Sequence, residues 1–393
     1  MTGSWMPLSE LVGNWVSSEM PVTSITIQEV KTAKEQKAFL RFPWKIYRGD
    51  PYWVPPLLKE YAFHFSPKNP FLHHAEIIPY VAVRDGSIVG RMAAIIDQNY
   101  IDFHQEKTGF FGFFESINDL DVARALLDHV KGFLRARDMK TVMGPVNPST
   151  NDECGLLIEG FNSSPCFMMP YNPPYYQELL EGCGLQKAKD LYANLLTDDG
   201  GIPERLQRIS DRVIKRVPGL VIRPLSLRKL NEEVIRFKEV YNGAWEDNWG
   251  FVPLTDEEIN LMVTKLKPLV VPNLALFAEI GGETAGFALA LPDYNFVLKR
   301  LNGKMGPLGL LKFLYYARKM EAIRVLLLGV KAGYRKRGIE TLLYVELFRR
   351  GQVRGYQWGE MSWILEDNYL MQKGIEAVGG RKYKTYRLFQ SSL

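Results

Sequence analysis

A repeated pattern constrains this chain of 393 residues more than any other feature, because a duplicated sequence folds as two copies of one unit. Residues 81–97 read VAVRDGSIVGRMAAIID, and residues 277–293 read FAEIGGETAGFALALPD. Small residues coincide when the first segment is shifted by 196 positions, the distance from Gly86 to Gly282. Apolar residues flank a glycine-bearing turn in both segments, which predicts a β-hairpin in each copy.

The same shift of 196 positions relates two segments farther along, from Asn172 to Asn368. They read NPPYYQELLEGCG and NYLMQKGIEAVGG, and a strand-like stretch follows each. Glycine just past a helix supplies the left-handed backbone found there, so each segment predicts a helix that ends before a strand. We therefore expect two copies of one fold, residues 25–196 and 219–393, after an N-terminal extension of residues 1–24.

The copies differ between these anchors. The first has a long polar loop, residues 144–165, which we expect near the interface between the copies. The second has an insertion between Tyr294 and Met320. The stretch that joins them, residues 197–218, predicts a linker helix with one packed apolar face. Four residues recur along that face at helical spacing: Ile202, Leu206, Ile209 and Val213.

Composition narrows the class of partner. With 49 basic and 44 acidic residues the net charge is +5, which suits an anionic cofactor but gives no concentrated basic face for nucleic acid. Cys154, Cys166 and Cys183 form no CxxC pair and are interpreted as reduced thiols. No basic signal segment opens the chain and no apolar run is long enough to span a membrane, so we expect a cytoplasmic protein.

One motif, VKAGYRKRGIE at Val330–Glu340, indicates phosphate chemistry. It joins an apolar run, residues 323–330, to a segment with an apolar helical stripe, GIETLLYVELFRRG. A strand, a turn and a helix in this order direct free backbone N–H groups and the positive helix end towards one place, which can bind pyrophosphate. Taken alone, the motif is equally compatible with a solvated basic surface turn.

The surroundings of the motif resemble the GNAT superfamily of acyl-CoA-dependent N-acyltransferases. Arg335, Gly338 and Glu340 fall at the defined positions of the family signature Q/R-x-x-G-x-G/A, and Val330 ends the preceding strand. An asparagine, Asn368, opens a later helix, as in the family. The resemblance covers residues 219–393 with the motif, and residues 25–196 by architecture only. It implies an α/β (α+β) fold: two tandem GNAT-like domains, each a mixed, mostly antiparallel sheet flanked by helices.

The resemblance also implies a cofactor, acetyl-CoA or another acyl-CoA. The residues expected to hold it are Leu328, Gly329, Val330, Arg335, Lys336, Arg337, Gly338, Ile339, Glu340 and Asn368. Two positions depart from the family pattern. Glu340 replaces a small residue near the expected phosphates, and Ile375 stands where the family often has a tyrosine that protonates the leaving thiolate.

For mechanism, the resemblance implies direct attack of an amine on a thioester, with no covalent enzyme intermediate. A backbone N–H near Val330, where strands of this family splay apart, would polarise the carbonyl. Glu360 is our candidate base, and Ser362 shares its face of a strand by the period of two. A purely structural carboxylate at Glu360 is the alternative. The neighbouring Glu366 and Asp367 are expected to cap the following helix.

The segment of residues 241–259 is expected to cover the acceptor. Trp245, Asn248 and Trp249 give it the apolar and polar contacts that an amine with an apolar part would need. The alternative is a packed loop whose tryptophans connect two helices. Thr255 with Glu258 three residues on predicts a capping box at the next helix.

The first copy carries no phosphate signature. Its equivalent turn enters a helix through Asn118, Asp119 and Asp121. The carboxylates of the two aspartates would cap the helix and repel pyrophosphate, so we expect this copy to have lost cofactor binding. The pair His73 and His74 is interpreted as structural, with no metal site.

Together these features predict an N-acyltransferase that moves an acyl group, most simply acetyl, from acyl-CoA to the primary amine of a small or amino-acid-like acceptor. Two alternatives remain open. One is a non-catalytic CoA-sensing or partner-binding protein, and the other is an acyl or aminoacyl transferase that uses tRNA or a carrier protein as donor. The oligomeric state is left open.

Overall fold

A computed structural model describes residues 24–197, 204–246 and 248–393 of the chain. Residues 1–23, almost the whole of the predicted extension, lie outside the described residues. Ile202 of the predicted linker helix and the side chain of Leu206 also lie outside them.

Strands and helices alternate along both halves. The strands of the first half are β1 (Thr26–Glu29), β2 (Ala75–Arg84), β3 (Ser87–Asp97), β4 (Thr108–Ser116), β5 (Thr141–Gly144), β6 (Val146–Asn147), β7 (Glu153–Cys154), β8 (Leu156–Glu159) and β9 (Gln186–Thr197). Those of the second half are β10 (Leu220–Pro224), β11 (Ala275–Ile280), β12 (Glu283–Pro292), β13 (Ala322–Val330), β14 (Trp358–Leu365) and β15 (Arg381–Ser392).

The helices lie between these strands. The first half has α1 (Ala33–Arg41), α2 (Pro43–Ile46), α3 (Leu58–Phe63), α4 (Gln98–His104), α5 (Leu120–Ala136) and α6 (Tyr176–Gly182). The second has α7 (Glu204–Arg216), α8 (Leu230–Trp245), α9 (Asp256–Leu266), α10 (Asn295–Leu301), α11 (Pro307–Ala317), α12 (Ile339–Val353) and α13 (Tyr369–Ala377). Of the described helices, none is long and apolar enough to span a membrane.

The two predicted hairpins are present and are equivalent. Ala82 pairs with Gly90 in the β2–β3 hairpin, and Ala278 pairs with Gly286 in the β11–β12 hairpin. The turn of the first hairpin contains Gly86 at φ 70°, a conformation that glycine adopts without strain. The repeated small residues of the sequence therefore mark the same pairing positions in both copies.

Both halves contribute to a single sheet, and each gives its last strand to the other. The strand order is β1-β2-β3-β4-β5-β15-β9-β14-β13-β12-β11-β10, so β15 pairs with β5 of the first half and β9 pairs with β14 of the second. Most neighbouring strands are antiparallel, but β4–β5 and β13–β14 are parallel. The sheet is thus mixed and mostly antiparallel, as the sequence predicted, whereas the exchange of last strands was not predicted.

Core residues lie on both faces of this sheet. Alternate residues of one strand enter different clusters: Tyr80 and Ala82 pack with α5 and α6, whereas Val81 packs on the opposite side. In the second half, Ala288 packs with α12 and Phe287 packs with α8. The period of two therefore places core residues of both halves on both faces of the sheet.

Helix α13 begins after Asn368, as predicted, but Glu366 and Asp367 do not have the predicted role. Asn368 is the N-cap, and its side chain accepts a hydrogen bond from the N–H of Met371. The expectation that Glu366 and Asp367 cap this helix was wrong. Both carboxylates instead pair with lysines of β9: Glu366 contacts Lys187, and Asp367 lies 2.8 Å from Lys189 Nζ. They connect the exchanged strand to the second half.

Candidate active site

The parallel pair β13 and β14 opens partway along its length. Their registered pairing runs from Ala322 opposite Trp358 to Val325 opposite Met361, whereas β13 continues to Val330. Beyond Val325, the N–H groups of β13 that point towards β14 have lost their strand partner, and a buried backbone N–H needs one. This gap is the opening between strands that we expected near Val330.

The N terminus of α12 lies at the end of β13 and lacks an N-cap side chain. Gly338 is its N-cap at φ 83°, and it makes no side-chain hydrogen bond to the first turn. A Cβ atom at Gly338 would lie 2.6 Å from Val213 Cγ2 of α7, so the position has no room for a larger residue. The first N–H groups of α12 and the positive end of its dipole form an arrangement that binds anions.

Three of the predicted cofactor residues have their side chains in the core. Leu328, Val330 and Ile339 pack between α12 and the sheet, so they fix the turn rather than extend into the opening. Gly329 lies on the opposite face of β13, where an added Cβ would be 2.7 Å from the ring of Trp245.

The basic residues of the motif divide into two roles. Arg335 stabilises the turn through two hydrogen bonds to backbone carbonyls. Its Nε donates to the carbonyl of Val330 at 3.3 Å, and its Nη2 donates to the carbonyl of Ala244 at 2.9 Å. Lys336 and Arg337 are exposed on the turn. Lys331, the other cation of the motif, pairs with Glu239 at 2.9 Å, so Lys336 and Arg337 are the better placed to meet a ligand from solvent.

Glu340 stands in the first turn of α12, as the sequence indicated. Burial raises the pKa of its carboxyl, while a hydrogen bond from its own backbone N–H and the charge of Arg335 act in the opposite direction. The carboxyl thus lies among the groups that would hold a phosphate. Asn368, the other residue predicted to bind the cofactor, uses its side chain to cap α13.

The equivalent helix of the first half is capped by its own chain. Asp119 accepts hydrogen bonds from the N–H groups of Asp121 at 2.9 Å and Val122 at 3.3 Å. Arg84 donates to the same carboxylate at 2.8 Å. The predicted capping of α5 is confirmed, and the N terminus of this helix is occupied by a carboxylate that carries its own counter-charge.

The opening between β4 and β5 in the first half is also filled. The N–H of Phe113 donates to the side chain of Asn147 at 2.6 Å. An added Cβ at Gly112 would be only 1.7 Å from the carbonyl oxygen of Val146. The predicted loss of cofactor binding in this copy stays a prediction, and both features favour it.

A buried polar cluster lies where the pairing of β13 with β14 ends and the opening begins. Glu360 is fully buried and accepts hydrogen bonds from Ser362 Oγ at 2.6 Å and from the hydroxyl of Tyr383. Arg324, opposite Glu360 in the strand pairing, donates from Nε to Ser362 Oγ at 2.9 Å. Glu360 and Ser362 share one face of β14, as the period of two predicted.

The cations of this cluster also hold a loop of the first half, residues 160–169. Arg324 donates to the carbonyl of Phe167 at 2.8 Å, and Lys384 donates to the carbonyls of Gly160 and Ser163. Burial lowers the pKa of Lys384 to about 8. The cluster thus combines a structural task with a carboxylate and a phenol that are close enough to exchange a proton.

Tyr383 is the member of this cluster that reaches towards solvent. It is half-buried, whereas Glu360 is fully buried. Burial and the adjacent Glu360 carboxylate raise the pKa of Tyr383 well above its usual range. The proton therefore rests on the phenol, which donates to the carboxylate.

The predicted acceptor segment is divided between the halves. Trp245 packs with the α8 and α9 cluster, whereas Trp249 packs with the first-half core, where Lys189 Nζ lies 5.6 Å from its ring centroid. The N–H of Asn248 donates to the carbonyl of Trp245 at 2.8 Å. The segment is attached to the polar loop of the first half through Asn151, whose amide donates to the carbonyl of Val252 at 3.0 Å. The predicted Thr255–Glu258 capping box is present in α9.

Two apolar cavities flank the opening. One of about 570 Å³ lies between α8, α9, β12 and β13, and includes Leu225, Phe237, Met262, Leu266, Phe287 and Leu327 in its lining. The other, about 630 Å³, lies between α12, β13 and β14, and is lined in part by Val325, Tyr344, Leu347 and Met361. Both spaces are lined mainly by apolar side chains and are partly open to solvent.

Sequence reasoning missed three residues of the polar cluster: Arg324, Tyr383 and Lys384. A signal for Arg324 existed, since it is the only charged residue in the apolar run of residues 322–330. Tyr383 and Lys384 carried no such signal, because they reach the cluster through the exchanged strand β15.

Comparison with known proteins agrees with this arrangement. No protein-family model matches the chain. It is 36% identical over 378 residues to the bacterial ceramide synthase of Caulobacter vibrioides, across 94% of this chain and 98% of that protein. It is also 36% identical over 364 residues to the protein YghO of Escherichia coli, across 91% of this chain and 93% of that protein.

A tandem GNAT protein from the clavulanic acid biosynthesis pathway has a similar fold. It superposes with a TM-score of 0.55 across 94% of this chain and 98% of that protein, at 13% sequence identity. Two GNAT-like halves in one chain, and extensive identity to two bacterial proteins, lead to one assignment: the chain is a tandem GNAT-fold protein and belongs to the family of the Caulobacter ceramide synthase and YghO.

Proposed function

We propose that the protein is an N-acyltransferase that moves an acyl group from acyl-CoA to a primary amine. The observation that carries the proposal is the contrast between its two halves. In the second half the opened strand pair and the N terminus of α12 lack the fillings seen in the first, namely Asn147 in the strand opening and Asp119 at the helix N terminus.

The described residues fit the donor. Apart from the N–H of Glu340, which donates to its own carboxyl, the first turn of α12 offers backbone N–H groups to the pyrophosphate, with Lys336 and Arg337 on the exposed turn beside it. The opening between β13 and β14 suits the extended pantetheine arm. Close by, the indole Nε1 of Trp363 is buried without a hydrogen-bond partner among the described residues, so this donor is left for a ligand group.

The proposed acceptor is a long-chain amine. A ceramide synthase joins an acyl group to the amine of a long-chain amino alcohol, and a relative that spans nearly this whole chain carries that name. The cavity beneath α8 and α9 is apolar and includes Leu327, a residue of β13 beyond the last position paired with β14, so it is our candidate site for the alkyl chain. This acceptor differs from the small or amino-acid-like amine expected from the sequence.

In the proposed reaction, Tyr383 and Glu360 handle the proton. Acyl-CoA supplies a thioester carbonyl that an amine can attack directly. The unpaired N–H groups at the end of β13 would stabilise the negative charge that develops on the carbonyl oxygen. As the C–N bond forms, Tyr383 accepts a proton from the amine and passes its own to Glu360. The same pair returns a proton to the sulfur when the C–S bond breaks, so both groups end as they began.

The donor site can be tested with matched charge reversals at the two ends of α12. Arg337→Glu places a negative charge at the proposed phosphate site, and Arg354→Glu makes the same change at the opposite end of the helix, where Arg354 is also exposed. We expect CoA affinity, measured by isothermal titration calorimetry, to fall about tenfold or more for Arg337→Glu only. Equal affinity in both variants would contradict the proposed site. Binding without transfer to any amine would favour a CoA-sensing protein.

The acceptor is tested separately by filling its cavity. Met262→Trp adds bulk beneath α8 and α9, away from the α12 turn. We expect the KM for a long-chain amino alcohol to rise several-fold, while transfer to a short amine is unchanged. Equal effects on both amines would rule out this cavity as the chain site without affecting the donor proposal.

A further inference from the structure

Helix α11 carries an apolar surface that faces solvent. Leu308 is 76% exposed and Leu311 is 64% exposed, and Leu310, Leu314 and Tyr315 are each more than half exposed. None of the residues of this helix is fully buried. Isolated exposed leucines are ordinary in soluble proteins, but a continuous group of four on one short helix marks an interaction surface.

The segment that contains this helix carries charge of a single sign. Residues 294–320 contain six basic residues and no acidic one. The basic residues are Lys299, Arg300, Lys304, Lys312, Arg318 and Lys319. The whole chain, by contrast, has nearly balanced charge, with 49 basic and 44 acidic residues. The partner of this surface therefore needs to be both apolar and anionic.

The helix is held to the body of the protein at its start. The indole Nε1 of Trp44 donates to Asn302 Oδ1 at 2.9 Å, and the N–H of Leu58 donates to the carbonyl of Gly303 at 3.2 Å. On the inner side of α11, Phe313 stacks on Tyr294 with ring centroids 5.8 Å apart. These contacts fix which side of α11 faces the protein and leave the leucines outward.

The insertion is absent from the equivalent place in the first half. There, only α4 separates β3 from β4, whereas both α10 and α11 separate β12 from β13. A sheet of this kind therefore closes without α11. The helix was added to a fold that is complete without it, which favours a role in binding rather than in folding.

We propose that α11 docks on the surface of an anionic lipid bilayer, with its leucines below the headgroups and the surrounding lysines and arginines among lipid phosphates. A surface helix with an apolar face and flanking basic residues binds in this way. Its eleven residues span only about 16 Å, too short to cross a hydrocarbon core of about 30 Å. A second copy of the chain fits less well, because two such surfaces would bring like charges together.

The proposal adds a location to the proposed function and does not depend on it. Tyr294, which stacks on the inner side of α11, donates a hydrogen bond from its hydroxyl to the carbonyl of Leu269 at 3.0 Å. Its ring also packs on Phe167, with ring centroids 5.6 Å apart. Leu269 precedes Val270, which lines the cavity beneath α8 and α9. A bilayer under α11 would therefore lie near the apolar cavity.

Flotation of the full chain with vesicles tests the proposal. We expect binding to vesicles of phosphatidylcholine mixed with phosphatidylglycerol, weaker binding to phosphatidylcholine alone, and loss of binding as salt is raised. The double variant Leu308→Ser with Leu311→Ser should lower the partition coefficient at least tenfold. The matched control, Ile235→Ser with Val353→Ser, removes two equally exposed apolar side chains elsewhere and should bind as wild type.

Three results would overturn the proposal. One is no binding to either kind of vesicle, and another is equal binding by the leucine variant and its control. The third is a leucine variant that changes the oligomeric state in sedimentation without changing flotation, which would identify a second copy as the occupant. Acyl transfer to a short soluble amine should be normal in every variant.

Discussion

At the scale of single residues, the pair Tyr383 and Glu360 determines what chemistry the opening can support. Glu360 is fully buried and accepts hydrogen bonds from both Ser362 and Tyr383, so it is not exposed to an amine that enters from solvent. The phenol of Tyr383 is only half-buried and donates to this carboxylate, so an amine can exchange a proton with Glu360 through it. In the proposed mechanism, the carboxylate would hold the proton and the phenol would transfer it.

A comparison of two neighbouring tyrosines tests this pairing. Tyr383→Phe removes the proton path and should lower kcat about a hundredfold, within the range for general acid–base groups, with little change in CoA affinity. Tyr386→Phe is the matched control, because the Tyr386 hydroxyl is buried without a hydrogen-bond partner among the described residues. Steady-state kinetics of both variants measure the change in kcat, and thermal melts show whether each variant is still folded. An active Tyr383→Phe enzyme would remove Tyr383 from the mechanism.

The sequence identified the residues whose role depends on local pattern. Gly338 and the turn after Val330 follow from a strand, a turn and a helix in succession. The placement of Glu360 and Ser362 on one face follows from the period of two. Tyr383 could not be found in this way, because its contact with Glu360 depends on which strand lies beside which in the sheet. Sequence periodicity gives the face of a strand but not its neighbours.

At the scale of elements, one histidine connects the two halves. His74 Nδ1 lies 2.9 Å from Asp97 of the first half, and its Nε2 lies 3.3 Å from Glu258 of α9. Burial lowers the pKa of His74, but the hydrogen bonds and charges of Asp97 and Glu258 outweigh burial and raise it to about 9. The sequence predicted a structural histidine here and could not show the carboxylate from the other half.

This histidine predicts a pH dependence of stability. Because the folded pKa exceeds the ordinary value of about 6.5, its contribution is complete below pH 6.5 and is lost as pH rises through about 9. We expect His74→Gln to lower the free energy of unfolding by roughly 2 kcal/mol at about pH 6 and by much less at about pH 9.5. Urea denaturation of both proteins measures the difference, in which the opposing effect of Lys384 cancels.

The neighbouring histidine supplies the control. His73 is exposed and contacts an exposed carboxylate, Glu257, so His73→Gln should change stability little at any pH. If the His74→Gln difference does not shrink with rising pH, the contact with Glu258 contributes nothing.

Element boundaries were well predicted wherever glycine or a capping residue marks them, as at α9. Capping of α13 was assigned to the wrong residues, because three polar residues in a row all suit an N-cap.

At the scale of the whole molecule, the exchanged strands make the halves interdependent. β15 pairs with β5, β8 and β9, and β9 pairs with β14, so neither half contains its own complete set of strands. The sequence predicted two copies and could not predict the exchange. Both last strands follow equivalent helices and have similar patterns, so either could occupy either place in the sheet.

Separate expression of the halves tests this interdependence. We expect residues 1–200 and residues 201–393 to fail to fold alone, because each lacks one strand from the middle of its sheet and exposes unpaired edges. Coexpressed, they should form a stable one-to-one complex that copurifies and gives the circular dichroism spectrum of the intact chain. A fragment of residues 1–200 that unfolds cooperatively by itself would contradict this expectation.

The order of strands also determines when, during translation, the first half can complete its part of the sheet. A ribosome that has completed β9 has made every first-half strand, yet the place beside β5 belongs to β15, which lies some 190 residues downstream, as the distance from Gln186 to Arg381 shows. Until β15 is made, β5 of the nascent first half has an unpaired edge, or β9 pairs with it and must later dissociate. Completion of the sheet in the first half therefore waits until β15 of the second half has been translated.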